Sequence, residues 1–211
     1  MPGLALPAEP NPFLGWRGIR LALDRPEELF LPQVRALLRL AATRDARLLL
    51  PLVATTDEVE RARALVGRAV AELEQRGQPY RALPLGIMVE TPAAALTLDR
   101  FVGLIDFASL GTNDLAQYTY AVDRTNARVR ERAQPLGLAI LRLVERVCRV
   151  GLPIAVCGRL AAEPEAIPLL VGLGVRELSV PPARIPAVKR ELARRTLAEM
   201  EALARQALAA G

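Results

Sequence analysis

Five short apolar runs, each followed by a helix-like stretch, limit what this chain can become. They lie at about 47–53 (RLLLPLV), 84–90, 105–110, 153–157 and 176–180 (RELSV). Strands that alternate with helical patterns form βα units and a parallel sheet. The intervening apolar periodicities predict helices over about 25–43, 92–99, 137–150, 163–173 and 185–208, the last broken near Thr196. Another starts at Thr55, where Thr55 and Glu58 have capping-box spacing, and stops at Gly77. Pro7, Pro10 and Pro12 predict an extended lead-in.

With 211 residues, 52% of them hydrophobic, the chain can bury a large core, and no linker or repeat divides it, so one domain over 1–211 is expected. Of its 28 basic residues only Lys189 is lysine. The arginines are spread without a run or aromatic interleaving, a pattern of solvated helix surface, and no nucleic-acid partner is expected. Arginine in excess does suit anionic small ligands. No apolar run reaches the roughly 18 residues of a membrane span, and Met1–Leu6 has no basic n-region, so neither membrane insertion nor secretion is expected and a cytoplasmic location follows. Cys148 and Cys157 lack Cys-x-x-Cys spacing. With no histidine in the chain, proton transfer falls to Cys, carboxylate, Lys, Tyr or water.

The strand ends carry the chemistry. Glu90 closes the second run, the Gly111-Thr112-Asn113-Asp114 turn follows the third, and Cys157 closes the fourth. In parallel α/β barrels the active site forms at the carboxyl ends of the strands. Taken singly, Glu90 and Asp114 also read as a helix cap and a turn residue, and Cys157 as a small buried side chain. A (β/α)8 barrel needs eight strands and typically about 250 residues, so five runs predict an α/β fold of the partial TIM-barrel kind, about five parallel strands with covering helices and the first βα units missing. Its open sheet edges need cover.

Five ordered motifs carry a family likeness: Asn11-Pro12-Phe13-Leu14-Gly15-Trp16-Arg17, Gly86-Ile87-Met88-Val89-Glu90-Thr91-Pro92-Ala93-Ala94-Ala95, Gly111-Thr112-Asn113-Asp114-Leu115 through Gln117-Tyr118-Thr119, Ala121-Val122-Asp123-Arg124, and Val156-Cys157-Gly158. From about Leu6 to Ala209 the chain resembles the phosphoenolpyruvate-binding barrel of enzyme I of the bacterial sugar phosphotransferase system, a domain shared with pyruvate phosphate dikinase and phosphoenolpyruvate synthase. The resemblance implies that Glu90 and Asp114 hold Mg²⁺, a hard ion that takes carboxylate, substrate and water oxygens. It implies that Gly111, Thr112, Asn113 and Asp114 bind substrate at a helix N-terminus, and that Arg17 and Arg124 clamp phosphate or carboxylate. Cys157 would be the catalytic proton donor to the methylene carbon of enolpyruvate. The implied partners are phosphoenolpyruvate, a phosphohistidine domain or a phosphocarrier protein in trans, and a second copy in a homodimer serving sugar transport.

The chain also departs from that family. Two further substrate arginines, in Arg-Thr motifs on earlier strands, have no match in these residues, nor has the family's phosphohistidine domain. Cys157-Gly158-Arg159 stands where Cys-Gly-Glu is usual, and Glu131 and Ala133 replace a His and a Tyr before Gln134-Pro135. Three readings follow: a phosphoenolpyruvate-utilising phosphotransferase domain that passes phosphate to a histidine elsewhere and releases pyruvate; a non-catalytic truncated remnant or dimerisation module of that family; or a different barrel enzyme, a Mg²⁺-dependent aldolase or lyase acting on pyruvate-like acids.

Overall fold

The computed structural model describes residues 7–210; part of the lead-in, like the two ends of the expected domain, lies outside them. Among the described residues five strands, β1 (Leu48–Leu50), β2 (Leu85–Val89), β3 (Phe107–Gly111), β4 (Ile154–Cys157) and β5 (Glu177–Leu178), pair in parallel in the order β1-β2-β3-β4-β5. Each strand therefore neighbours its successor in sequence, the order of a barrel wall rather than of a doubly wound sheet.

Alternation along the strands assigns the two faces. Leu48, Leu50, Leu85, Ile87, Val89, Ala108, Leu110, Ile154 and Val156 are all buried on one side, against the helices. The other side carries Met88, Phe107, Ser109, Ala155 and Cys157, a mixture of small, polar and partly exposed residues. The sheet curls around this second face: Arg47 Nη1, just before β1, lies 3.7 Å from Glu177 Oε2 on β5, and the Arg47 guanidinium stands 5.4 Å from the Phe107 ring centroid. Only a strongly bent sheet lets side chains from its first and last strands meet. The result is a sector of a (β/α)8 barrel, as the strand pattern led one to expect.

The helices form the outer layer. They are α1 (Gly18–Asp24), α2 (Leu31–Ala41), α3 (Thr56–Gln75), α4 (Pro92–Leu96), α5 (Thr112–Thr119), α6 (Leu138–Cys148), α7 (Ala166–Gly172), α8 (Ile185–Leu192) and α9 (Leu197–Ala209). α3 begins as its capping spacing predicts, with Glu58 Oε2 accepting from the amides of Ala54 (2.7 Å) and Thr55 (3.0 Å). Thr196 caps α9 and breaks the last helix where expected. No described helix is long and apolar enough to cross a membrane.

Two expectations need correction. The helix placed at 25–43 starts earlier, at Gly18, and is interrupted by a wider π-type turn over Pro26–Phe30 before α2; Pro26 cannot donate a backbone hydrogen bond to the preceding turn. The Gly111–Asp114 turn, absent from the helices that periodicity predicts, opens helix α5 at Thr112 directly after β3, the helix N-terminus that the resemblance implies.

Candidate active site at the strand ends

Glu90 follows β2 and is only 7% exposed. Its Oε1 accepts a hydrogen bond from the Leu52 amide at 2.6 Å. Leu52 itself holds a left-handed backbone, φ 58°, uncommon for a residue with a side chain. The neighbouring strand must leave room: a Cβ on Gly111 would stand 2.8 Å from Glu90 Oε2 and 2.8 Å from Met88 Sδ. Glycine at the end of β3 thus lets the carboxylate lie against the backbone. Burial pushes the Glu90 carboxyl above its ordinary 4.5; Asp114 adds to the rise, while the Leu52 amide and Arg17 oppose it.

Asp114 occupies the first turn of α5, where the exposed amide end of a helix favours negative charge. Two arginines reach it from different segments. Arg17 Nη2 lies 3.9 Å from its Oδ2 and Arg124 Nη2 lies 3.1 Å from its Oδ1. Yet Oδ1 is buried and accepts no hydrogen bond, the contact being one of charge without donor alignment. Such an atom is costly unless something else satisfies it.

Neighbouring side chains fix the arginines. The Arg124 amide donates to Gln117 Oε1 at 3.1 Å, and Gln117 is buried on α5. Arg17 Nη1 donates to the Tyr118 hydroxyl at 3.5 Å, and that hydroxyl donates to the Phe13 carbonyl. Both guanidinium carbons stand near the Phe13 ring, 5.2 Å from its centroid for Arg17 and 5.7 Å for Arg124.

Cys157 ends β4 opposite Gly111 in the strand register. Its Sγ lies 3.4 Å from the Leu110 carbonyl and 3.7 Å from Met88 Sδ. Burial raises its pKa from the ordinary 9.0, with Glu90 adding to the rise and a hydrogen bond with Ser109 opposing it, so the thiol stays protonated at neutral pH. A neutral, half-buried thiol is a proton carrier rather than a thiolate nucleophile. Cys148, at the end of α6, is pushed up to about 12 by burial and belongs to the packing.

Thr112 Oγ1 donates to the Cys157 carbonyl at 3.0 Å, tying the start of α5 to the end of β4. Asn113 is exposed, and its Oδ1 accepts from the Arg159 amide at 3.4 Å. A cleft of about 800 Å³ opens on that side, lined among others by Asn113, Gln117, Arg124, Arg130, Arg159 and Glu163.

The fold therefore gathers Glu90, Gly111, Asp114, Arg17, Arg124 and Cys157 at one rim of the sheet, with Thr112 and Asn113 at the entrance to the cleft. Sequence reasoning assigned no role to Phe13, Gln117, Tyr118 or Ser109. Ser109 had a signal, since it alternates with Phe107 and Gly111 on one face of β3; the other three stand within the family motifs, Gln117 meeting nearby Arg124 while Phe13 and Tyr118 act through contacts with distant segments. Among the described residues no three potential ligands of the Cys, His, Asp or Glu type cluster together. Two carboxylates with an unsatisfied buried oxygen nevertheless fit a hard cation that takes its remaining oxygens from substrate and water.

Known proteins resemble this chain over nearly its whole length. The family model of the PEP-utilising enzymes' PEP-binding domain matches residues 1–197. The chain is 43% identical over 205 residues to a phosphoenolpyruvate-protein phosphotransferase of Cupriavidus necator, covering 95% of this chain and 35% of that protein. It is 43% identical over 213 residues to the protein of the same name from Staphylococcus carnosus, covering 99% and 37%. A phosphoenolpyruvate-dependent phosphotransferase system protein of Escherichia coli K12 is 43% identical over 209 residues, covering 96% of this chain and 28% of that protein. The chain thus spans about a third of the length of the curated relatives it matches. The crystal structure of a citrate lyase from Burkholderia xenovorans superposes with a TM-score of 0.56 at 18% identity, covering 82% of this chain and 56% of that one, a likeness of fold alone. Motifs, barrel-sector topology and family match coincide over nearly the whole sequence, and the chain belongs to the PEP-utilising enzymes as their PEP-binding domain.

Proposed function

We propose that this domain binds phosphoenolpyruvate together with Mg²⁺ and presents its phosphoryl group to a histidine carried by another domain or by a phosphocarrier protein. The observation that carries the reading is Asp114: a buried carboxylate with an orphaned oxygen, beside a second buried carboxylate and between two arginines. Glu90 and Asp114 would hold the metal, which when bound supplies positive charge against the substrate's anionic oxygens.

The chain's own residues account for the remaining steps. Arg17 and Arg124 grip the phosphate and carboxylate groups, for which a guanidinium fork is suited. Phosphoryl transfer depends mainly on such positioning and charge neutralisation. As the phosphorus–oxygen bond of the substrate breaks, the phosphoryl group passes to the acceptor imidazole nitrogen and enolpyruvate remains. Cys157 then gives its proton to the methylene carbon, forming pyruvate, and the thiolate regains a proton from solvent. The raised thiol pKa suits this role, because the protonated form is the working one.

The test supplies a separately produced histidine-bearing acceptor domain with phosphoenolpyruvate and Mg²⁺, and follows pyruvate with lactate dehydrogenase. Pyruvate should appear only with acceptor present, and Cys157→Ala should slow its release by about 10²-fold or more, the usual worth of a general acid. Substrate binding without pyruvate in any combination would leave a non-catalytic module of the same family as the better description.

A further inference from the structure

We propose that Phe13 is a positioning residue whose ring forms a common platform for the guanidinium groups of Arg17 and Arg124. The inference rests on the anion-binding reading for its purpose, though not for its geometry. Arg17 leads into α1 while Arg124 follows α5, so neither can hold the other through local backbone. Both converge on one ring, at 5.2 and 5.7 Å. The face of an aromatic ring is negative and attracts a cation within about 6 Å of its centroid.

Two guanidinium groups this close repel each other. Asp114 offsets the repulsion in the free protein, but its carboxylate is also the group best placed to meet a cation. When that charge is engaged, Asp114 is less able to hold the arginines, and the ring remains as a negative surface that no ligand competes for.

The platform is itself well anchored. The Asn11–Gly15 turn closes through Leu14 N to Asn11 O at 2.9 Å and Gly15 N to Pro12 O at 3.4 Å. The Glu9 carboxylate accepts from the Trp16 amide at 3.0 and 3.1 Å, and Tyr118 donates to the Phe13 carbonyl. A long arginine side chain loses rotamer freedom when it grips a ligand, and prior stacking removes part of that cost before binding. Leucine at position 13 would preserve apolar contact but provide no negative face.

The experiment reads the arginines directly. Nitrogen–proton resonances of the Arg17 and Arg124 side chains, assigned with Arg→Lys variants, report the ring current of Phe13 in the ligand-free protein. Phosphoenolpyruvate affinity is then measured with Mg²⁺ for wild type, Phe13→Leu, Phe13→Tyr and a graded series of fluorinated phenylalanines at position 13, which weaken the ring's negative face while keeping its shape. The expected result is ring-shifted resonances for both arginines, lost in Phe13→Leu; affinity lowered about tenfold in that variant, the worth of two cation–π contacts together; a stepwise decline with fluorination; and recovery in Phe13→Tyr. If the resonance shifts behave this way but wild type binds no phosphoenolpyruvate, the platform stands and the substrate reading falls. Unshifted arginine resonances, or an affinity indifferent to fluorination, would overturn the proposal.

Discussion

At Glu90, function and stability pull in opposite directions. A carboxyl whose pKa is higher in the folded than in the unfolded chain favours folding in its protonated form. That contribution is fully present below the ordinary value of 4.5 and is lost as pH rises through the raised folded value. Once ionised, Glu90 therefore makes the metal-free protein less stable than its protonated form does. Glu90→Gln should raise its Tm by about 2–4 °C for each kcal/mol relieved, with the Leu52 amide still meeting an oxygen. The same change should abolish Mg²⁺ binding. In wild type, Mg²⁺ affinity should fall as the solution is taken from neutrality into the mildly acidic range, because the ion must displace a proton. Scanning calorimetry and metal titration across that range check both effects; a lower Tm in Glu90→Gln would mean that its charge is already compensated without metal. Glu90 and Cys157 were legible as candidates because each closes an apolar run, and Asp114 because its turn follows one. Phe13 stood in a family motif without a role, since its purpose shows only when the two arginines are seen beside it.

Among the elements, α7 and α9 approach closely: a Cβ on Gly172 would lie 2.1 Å from the Met200 carbonyl oxygen, a backbone atom that cannot swing aside. Gly172→Ala should therefore cost about 1–3 kcal/mol, as overpacking does, lowering Tm in thermal unfolding while leaving the distant strand-end site able to bind. An unchanged Tm would show that the helices separate freely. The strands and most helices followed from periodicity, but their ends did not. β1 stops at Leu50, before Pro51, which has no amide to donate to a ladder, and Leu52 turns the chain. Periodicity did not mark α5, because Gly-Thr-Asn-Asp reads as turn chemistry; only the family resemblance implied the helix start there.

For the molecule as a whole, sequence order predicted parallel βα units, while the curvature that turns them into a barrel sector shows only in long-range contacts such as Arg47 with Glu177. Exposed pairs of this kind contribute at most about 1 kcal/mol; they mark the curl rather than cause it, and the cause lies in the buried outer face. Parallel pairing sets the ends of β2, β3 and β4 side by side at one rim, where residues separated by more than a hundred positions, Arg17 and Tyr118, come into contact. Whether that rim is a single ligand site is decided by isothermal calorimetry with phosphoenolpyruvate in the presence and absence of Mg²⁺, on wild type and on Asp114→Ala with its fold verified by circular dichroism. The account predicts saturable heat from wild type that requires the metal and disappears in Asp114→Ala. No heat from wild type, or the same heat from the variant, would contradict it.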